Sequence, residues 1–370
     1  MVNLSLAESF IKQGEEVFIY SVRKGSTQTQ TVEYPKEIHT KLINAKQIWS
    51  CPRYQEAIAV LKKGHILQGI KKIYQRIQYD ADLKKDYAIL GKEIESIEPD
   101  IIINSHYELL QGIPPQYLSR TINHYHTSFL QLLEHQAQLQ FLKKYQSKIA
   151  KYVWLTEESC KLAKENGLHN SITIYNPIRF SSEARSDVKN NKTAIFLGRI
   201  SEEKRLELAI DIFIDVVQKN NIMDWNFKIY AIGELEGSLK EKIEKCPFIT
   251  FMGRTDNPKE VLLQAGIMLL TSQFEGFPLT VLEANECGVP VISFDFGETA
   301  KEVIKEDTGI LVKQNDIMEY EKQLCILMKQ EETREQLSKQ AKEFAKQFTI
   351  QEIQKKWNDL WMEIHKKSEK

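Results

Sequence analysis

The sequence predicts an α/β protein built from two doubly wound parallel sheets. Two series of short apolar strands alternate with amphipathic helices, and a polar, linker-like stretch at residues 181–191 separates the two series. At 370 residues the chain is longer than one hydrophobic core usually supports. Its composition, with 42% hydrophobic and 27% charged residues, is that of an ordinary globular protein. We therefore expect two α/β domains of similar size.

The first series begins after a short helical segment. Runs of β-branched and aromatic residues predict strands at 16–22, 100–104, 122–125, 151–155 and 172–175. The second series comprises strands at 193–197, 226–232, 249–252, 266–270 and 290–294, with a helix at 206–219. From residue 331 two charged helices follow, joined near Phe348 and Thr349. We expect domains at 1–178 and 179–347, and a last helix at 348–370 that packs back on the first domain.

Composition and charge restrict where the protein is expected in the cell and which partners it is expected to bind. No apolar run approaches the roughly 20 residues that a membrane-spanning helix needs. The first residues lack the charged and then apolar layout of a secretory signal, so a cytoplasmic location is expected. The net charge is −1, but the first 190 residues are basic and the remainder acidic. We expect no nucleic-acid partner and no cofactor.

One basic amphipathic segment lies at residues 56–78. Ile66, Ile70, Ile73 and Ile77 recur at helical spacing, with lysine and arginine side chains between them. Such a stripe can lie on an anionic membrane surface, which would place the protein peripherally on the inner face of the cell membrane. The alternative is a helix whose apolar stripe packs on the domain core and whose lysines are solvated. The sequence leaves both interpretations open.

The most informative pattern is SQFEGFPLTVLEANECGVPVISFD at residues 272–295. Pro278 predicts the start of a helix that runs to about Asn285, because proline fixes φ in the helical range and no N–H is needed there. Free amides at a helix start form an anion site. Glu275 and Glu283 lie eight positions apart and can accept hydrogen bonds from hydroxyl groups. The segment predicts a site for a phosphate and a polyol, although a lone glutamate at position 283 is more often a surface charge or the partner of a residue one turn along the helix.

A second pattern follows the predicted strand at 193–197. Gly198 is expected to let the backbone turn tightly after the strand, and Arg199 and Lys204 follow it. Both cations could reach a diphosphate as it becomes a leaving group. Ligands bind at strand-to-helix turns on the carboxyl edge of such sheets, although a solvated Gly-Arg turn also occurs by chance.

Together these two patterns resemble the nucleotide-binding half of family 4 retaining glycosyltransferases, which adopt the two-Rossmann GT-B architecture. The resemblance also covers Gly233-Glu234, Gly253-Arg254, the strand after Pro99-Asp100, LTEES at 155–159, IYNPI at 174–178 and the helix around Trp357. It implies two Rossmann-like domains that face each other across a cleft, and transfer of a hexose from a nucleotide sugar.

The resemblance also implies roles for single residues. Glu275 matches the glutamate that faces the donor sugar, and Glu283 matches the glutamate that holds the ribose. Arg199 and Lys204 match the cations that stabilise the departing diphosphate. The remaining donor-side positions are the Gly198 turn, the backbone at Phe277, Pro278, Leu279 and Thr280, and the loops at Gly233, Gly253 and Arg254.

Three histidines of the first half are candidates for the reaction centre. His126 matches a family histidine that lines this centre. His106 also follows a predicted strand end and is a rival on the acceptor side, while His124 points away from His126 if the strand is regular. An isolated histidine at a strand end is also common as a structural residue.

The chain departs from the family pattern at its start. Members begin with a strand and a glycine-rich loop before a helix like VNLSLAESFIKQG, and here Met1 stands at the head of that helix. Three explanations are open: a start site placed too late, a strand supplied by a partner chain, or a protein that binds donor without transfer.

The resemblance implies a metal-independent hexosyltransferase that uses a nucleotide sugar, expected to be a UDP sugar, and a bacterial polysaccharide, glycolipid or glycoprotein acceptor. We expect no metal site and no Asp-x-Asp pair to hold a divalent cation. The alternative function is that of a non-catalytic or accessory subunit that binds nucleotide sugar for a partner transferase.

Overall fold

The computed structural model describes residues 2–24, 34–47, 54–63, 65–233 and 237–368. Glu234, which belongs to one of the matched motifs, lies outside the described residues. The chain divides into two compact units. The first comprises Met1–Tyr125, Leu142–Tyr152 and Leu360–Lys370, and the second comprises His126–Phe141 and Val153–Asp359.

The elements up to residue 178 form two parallel arrangements of strands. In chain order they are α1 (Val2–Ile11), β1 (Phe18–Lys24), β2 (His39–Gln47), α2 (Tyr54–Lys62), α3 (Ile66–Ile97), β3 (Ile102–Asn104), α4 (Pro115–Leu118), β4 (Thr121–His124), α5 (Phe129–Leu133), α6 (Gln136–Lys143), β5 (Lys151–Trp154), α7 (Glu157–Glu165) and β6 (Ser171–Thr173). Strands β1 and β2 pair with each other in parallel, and a separate four-stranded sheet has the order β3–β4–β5–β6. The segment at 56–78 is divided between α2 and the long helix α3.

The elements after residue 190 comprise a second α/β layer and a last helix, α15, whose residues from Leu360 belong to the first unit. They are β7 (Thr193–Arg199), α8 (Leu206–Asn220), β8 (Asn226–Ile232), α9 (Gly237–Glu244), β9 (Ile249–Gly253), α10 (Pro258–Leu263), β10 (Ile267–Leu270), α11 (Leu279–Glu286), β11 (Val291–Phe294), α12 (Ala300–Val303), β12 (Gly309–Val312), α13 (Ile317–Lys329), α14 (Glu331–Ala345) and α15 (Ile350–Ser368). The sheet order is β12–β11–β10–β7–β8–β9. The sequence did not predict β2 and β12.

Alternating side chains along the central strands of this sheet enter two separate cores. Phe196 and Leu269 belong to one buried cluster, while their neighbours Ile195 and Met268 belong to the other. Because both faces of the sheet are covered, its strands are almost continuously apolar rather than alternating with polar residues. This explains why short apolar runs predicted the strand positions to within a few residues.

The stretch at 181–191 is a packed part of the second unit, so its interpretation as a linker was wrong. Ser182, Ser186 and Val188 are buried. The Ser186 hydroxyl donates to the Ala265 carbonyl at 2.6 Å, and the Ser182 amide donates to Glu286 at 2.7 Å. The serines lie inside because their polar groups find partners there.

Within the described residues, no helix combines the length and apolar character that crossing a membrane requires. The two C-terminal helices and their junction near Phe348 agree with the sequence, since a short 3-10 turn at Lys346–Phe348 separates α14 from α15. In the first unit, Trp361 of α15 makes an edge-to-face contact with Phe10 of α1 at 5.9 Å between ring centroids.

Candidate functional site

In the six-stranded sheet the strand order reverses between the two central strands, β7 and β10. From β7 the chain continues through β8 to β9 on one side and returns to β10, β11 and β12 on the other. All neighbours are parallel, so the loops after the strands meet at one edge. In open α/β sheets, the point where the strand order reverses is the crevice in which ligands bind. The loops after β7 and β10, which carry Lys204 and Glu275, lie at this point.

The loop after β7 is held in place by its neighbours. Lys204 ends a 3-10 turn at Glu202–Lys204, and Arg205 has a φ of 48°, a left-handed conformation that costs a non-glycine residue about 1–2 kcal/mol. The Arg205 guanidinium donates to the Thr271 carbonyl at 2.7 Å and to Gln314 at 2.6 Å. The Thr271 hydroxyl in turn donates to the Lys204 carbonyl at 3.0 Å. The backbone of Lys204 is thereby fixed by the loops after β10 and β12.

Lys204 and Glu275 form a direct ion pair between the Lys204 ammonium and Glu275 Oε1. Their side chains are 16% and 10% exposed. The Ser272 hydroxyl donates to the same carboxylate oxygen at 2.7 Å. The resemblance gave these two residues separate roles, at the diphosphate and at the sugar, and the structure brings them into contact. An ammonium has three donor hydrogens, so Lys204 can hold Glu275 and still donate to a phosphate oxygen.

Gly198 and Arg199 differ from the expected turn. Both belong to strand β7, in register with Ala231 and Ile232 of β8, so the turn begins only after Arg199. A Cβ at Gly198 would lie 3.5 Å from the Phe196 ring, an ordinary contact. The prediction that Gly198 turns the backbone was therefore wrong. The Arg199 side chain is largely exposed and pairs with Glu203 at 3.3 Å.

Helix α11 starts at Leu279 and ends at Glu286, one residue later at each end than predicted. Pro278 precedes it with a φ of −77°, and the amide of Val281 donates to the Pro278 carbonyl at 3.0 Å. Leu279 and Thr280 stand in the first turn, where backbone amides have no acceptor within the helix.

Gly276 brings the glutamate loop against the backbone of His126. A Cβ at Gly276 would lie 2.9 Å from the His126 carbonyl oxygen, closer than a side chain permits. The carbonyl of Gly276 also accepts a hydrogen bond from the Thr299 hydroxyl at 3.1 Å. Glycine is required here for close approach, and the segment at His126 therefore adjoins Glu275.

Glu283 is fully buried and bound by Arg179. Both of its carboxylate oxygens accept hydrogen bonds from the Arg179 guanidinium, from Nε and, at 2.8 Å, from Nη2. This excludes the interpretation of Glu283 as an exposed helix charge. Arg179 was missed by the sequence reasoning, although it directly follows the motif IYNPI.

Known proteins that are similar to this chain include glycosyltransferases. Residues 178–344 match the family model for glycosyl transferases group 1. An uncharacterized glycosyltransferase of Haemophilus influenzae is 28% identical over 215 residues, 57% of this chain and 60% of that protein. The Campylobacter jejuni protein named GalNAc-alpha-(1->4)-GalNAc-alpha-(1->3)-diNAcBac-PP-undecaprenol alpha-1,4-N-acetyl-D-galactosaminyltransferase is 29% identical over 195 residues, 52% of this chain and 54% of that protein. The chain thus spans 54–60% of these two relatives.

Solved structures show the same fold. A mutant of S. aureus TarM in complex with fondaparinux, alpha-GlcNAc-glycerol and UDP has 20% identity and a TM-score of 0.61, covering 75% of this chain and 59% of TarM. Sucrose-phosphate synthase from Thermosynechococcus elongatus has 14% identity and a TM-score of 0.69, covering 97% of this chain and 92% of that chain. The prediction of a GT-B glycosyltransferase fold with two Rossmann-like domains is confirmed.

The segment that matches glycosyl transferases group 1, residues 178–344, also contains the remaining donor-side candidates. Gly233, Gly253 and Arg254 lie at the ends of β8 and β9. Gly233 and Gly253 both have positive φ, of 133° and 72°. At Gly233 a Cβ would lie 3.0 Å from Ile200, so this glycine also allows the β7 and β8 loops to approach. The half-exposed Arg254 pairs with Asp256 at 2.5 Å. The Phe277 ring is buried and stacks on Tyr175 at 5.8 Å, so only its backbone is placed for a ligand.

The histidine candidates occupy different settings. Strand β4 ends at His124, so His126 lies beyond the strand and the expected alternation between the two does not apply. His126 is mostly buried, and the loss of hydration lowers its pKa to about 4, which leaves the ring neutral at pH 7. His124 is buried within the strand. His106, in the first unit, is exposed and stacks on Tyr107 at 5.3 Å between ring centroids.

Glu298, in the loop after β11 and within the segment that matches group 1, was also missed. Its Oε1 accepts from the Ser159 hydroxyl at 2.5 Å and from the Phe129 amide at 3.2 Å, which ties the segment after His126 to the β11 loop. Burial raises the pKa of this carboxyl group. Its position directly after Gly297, in the loop that follows a parallel strand, is the signal that could have found it.

The sequence contains an Asp-x-Asp pattern at Asp80-Ala81-Asp82. The two aspartates lie in the middle of α3, and Asp80 pairs with Arg76 at 2.9 Å. Residues two apart on a helix do not face each other, so this pair is not arranged to bind one cation. Among the described residues, no group of three or more His, Cys, Asp or Glu side chains is arranged to hold a metal.

Proposed function

We propose that this protein is a family 4 retaining glycosyltransferase that moves a hexose from a nucleotide sugar to a saccharide, glycolipid or glycoprotein acceptor. The observation that carries the proposal is the Lys204–Glu275 pair at the point where the strand order reverses, within the segment that matches glycosyl transferases group 1. The cation and the carboxylate suit the two parts of a nucleotide sugar, the diphosphate and the hydroxyl-bearing ring.

In the proposed reaction, Lys204 stabilises the negative charge that develops on the departing diphosphate. Its backbone is held by Thr271 and its ammonium by Glu275, so the ammonium needs little reorganisation when the bond breaks. Removal of one such fixed donor typically raises the barrier by about 3 kcal/mol. The exposed Arg199 at the end of β7 is proposed as a second cation that joins when donor is bound.

Retention is proposed to follow from substitution on the same side as the leaving group. A two-step mechanism needs a nucleophilic carboxylate and an acid carboxylate roughly 5 Å apart. Glu275 is bound by Lys204, and Glu283 is buried against Arg179, so the two motif glutamates do not form such a pair. A trapped covalent glycosyl adduct on Glu275 would contradict this mechanism.

The donor is proposed to be a UDP sugar, and the acceptor a bacterial polysaccharide or lipid-linked glycan. The structural neighbour TarM was solved with UDP, and the named acceptor of the Campylobacter relative contains undecaprenol. His126, which adjoins Gly276, is proposed to line the reaction centre, and His106 to serve the acceptor side.

Donor hydrolysis tests the proposal. The full chain should slowly release UDP from UDP-glucose or UDP-N-acetylglucosamine, and Glu275→Ala should abolish the release. Glu241→Ala is the matched control, because that glutamate is exposed and pairs with the exposed Lys245. Tight UDP binding without turnover by the wild type would favour a non-catalytic subunit instead.

Metal independence is part of the proposal, because helix α11 and Lys204 would supply the charge that a divalent cation supplies elsewhere. Turnover should be unchanged by EDTA. Loss of activity with EDTA and its return with Mn²⁺ would contradict the assignment.

A further inference from the structure

Helix α3 exposes a continuous apolar stripe near its start. Ile66, Leu67, Ile70, Tyr74 and Ile77 are 62%, 84%, 55%, 60% and 53% exposed. Their spacing places them on one face of the helix over roughly 17 Å, at 1.5 Å per residue. The buried residues of α3 are Gly69 and then Asp86, Tyr87, Leu90 and Ile94, mostly in its second half. Ile66, Ile70 and Ile77 of the predicted stripe are thus exposed, whereas Ile73 is half-buried, so the interpretation of the stripe as a face packed on the core was wrong for these three residues.

Cations surround the stripe, and acidic residues are few. Lys63, Lys71, Lys84 and Lys85 are exposed before, beside and after the apolar side chains. Between residues 58 and 85 the acidic residues are Asp80 and Asp82; both are half-buried, and Asp80 pairs with Arg76. The exposed charge along this part of α3 is thus positive.

We propose that this face of α3 binds the surface of an anionic lipid bilayer. An exposed apolar stripe flanked by lysines is the pattern of a helix that lies in the plane of a membrane interface. Each lysine near an anionic surface adds roughly 1 kcal/mol of attraction. A second copy of the chain is the poorer occupant, because a symmetric contact through this face would bring the same lysines against each other.

The same face continues into a groove that suits a lipid headgroup. Lys84, Lys92 and Glu95 follow the stripe at helical spacing and line a groove of about 490 Å³, opposite Gly112 and Pro114. Two ammonium groups beside the bilayer surface would bind the phosphate of an anionic lipid. The apolar stripe would enter the interface while the groove meets the headgroup layer.

Vesicle sedimentation of the full chain tests the proposal. The protein should pellet with vesicles of phosphatidylcholine containing about 30% phosphatidylglycerol and remain in solution with phosphatidylcholine alone. Leu67→Gln with Ile70→Gln should weaken binding about tenfold or more for each side chain withdrawn. Lys84→Gln with Lys85→Gln should weaken it as well, and added salt should weaken the wild type. Met318→Gln is the control, because Met318 on α13 is as exposed as Leu67, at 84%.

The proposal is overturned if the wild type does not pellet with anionic vesicles, or if the stripe variant pellets as well as the wild type. It is also overturned if the wild type is a dimer in solution that Leu67→Gln converts to a monomer, since a second copy then covers the stripe. Binding is measured without donor or acceptor, so its outcome is independent of the proposed transfer reaction.

Discussion

Arg179→Met should strongly destabilise the unit that carries the candidate site. Glu283 is fully buried, and both of its oxygens are bound by the Arg179 guanidinium. Removing Arg179 leaves a buried carboxylate without its ionic partner, which costs about 3–5 kcal/mol in the free energy of unfolding. For a unit of roughly 200 residues, 1 kcal/mol corresponds to about 2–4 °C in melting temperature, so a decrease of about 6–20 °C is expected.

Thermal unfolding of the variant, followed by fluorescence, measures this decrease. Arg199→Met is the matched control, because the Arg199 side chain is 69% exposed and pairs with Glu203. An exposed pair contributes about 0–1 kcal/mol, so this control should melt close to the wild type.

The double variant Arg179→Met with Glu283→Leu separates the ion pair from simple packing. Replacing a buried ion pair by apolar side chains of similar volume is often neutral, so most of the lost stability should return. A decrease of less than about 2 °C in the melting temperature of Arg179→Met, or a double variant less stable than the single one, would contradict this role of the ion pair.

Three further predictions concern the loops of the site. Lys204→Met should lower donor turnover about 100-fold or more in a UDP-release assay, because the fixed cation at the diphosphate is lost; turnover within threefold of wild type would contradict its role. Gly276→Ala should lower the free energy of unfolding in urea by about 1–3 kcal/mol, because the new Cβ would lie 2.9 Å from the His126 carbonyl oxygen. Gly198→Ala is the control: its Cβ would lie 3.5 Å from the Phe196 ring, so the urea midpoint should not change. Burial lowers the pKa of His126 to about 4 from 6.5, so only the unfolded chain binds this proton between those values and stability rises with pH there. His126→Asn should flatten that rise in a series of melting curves, and an unchanged slope would argue against a buried neutral ring.

The sequence predicted local structure better than contacts between distant residues. Pro278 predicted the start of α11 to within one residue, because proline constrains its own backbone. The Lys204–Glu275 contact joins residues 71 positions apart. It depends on the order of the strands in the sheet, and the positions of strands along the sequence do not reveal that order. Arg179 and Glu283 are 104 positions apart, and a buried glutamate on a helix has the same local sequence as an exposed one.

The sequence also could not predict whether an apolar stripe on a helix is buried. The pattern at Ile66, Ile70 and Ile77 is compatible with a core-facing helix or with a surface helix, because periodicity defines a face without naming what covers it. At 181–191 the interpretation was wrong, because polar residues suggested a linker whereas Ser182 and Ser186 are buried with hydrogen-bond partners. In both segments, burial depends on which residues lie nearby in space, and the local sequence does not contain this information.

A crystal structure of the protein with UDP would test the central claim most directly. We predict that a diphosphate oxygen lies within hydrogen-bonding distance of Lys204 Nζ, between the loops after β7 and β10, with Glu275 directed toward the position of the sugar. UDP bound elsewhere, or bound there without contact to Lys204, would contradict the assignment of this site.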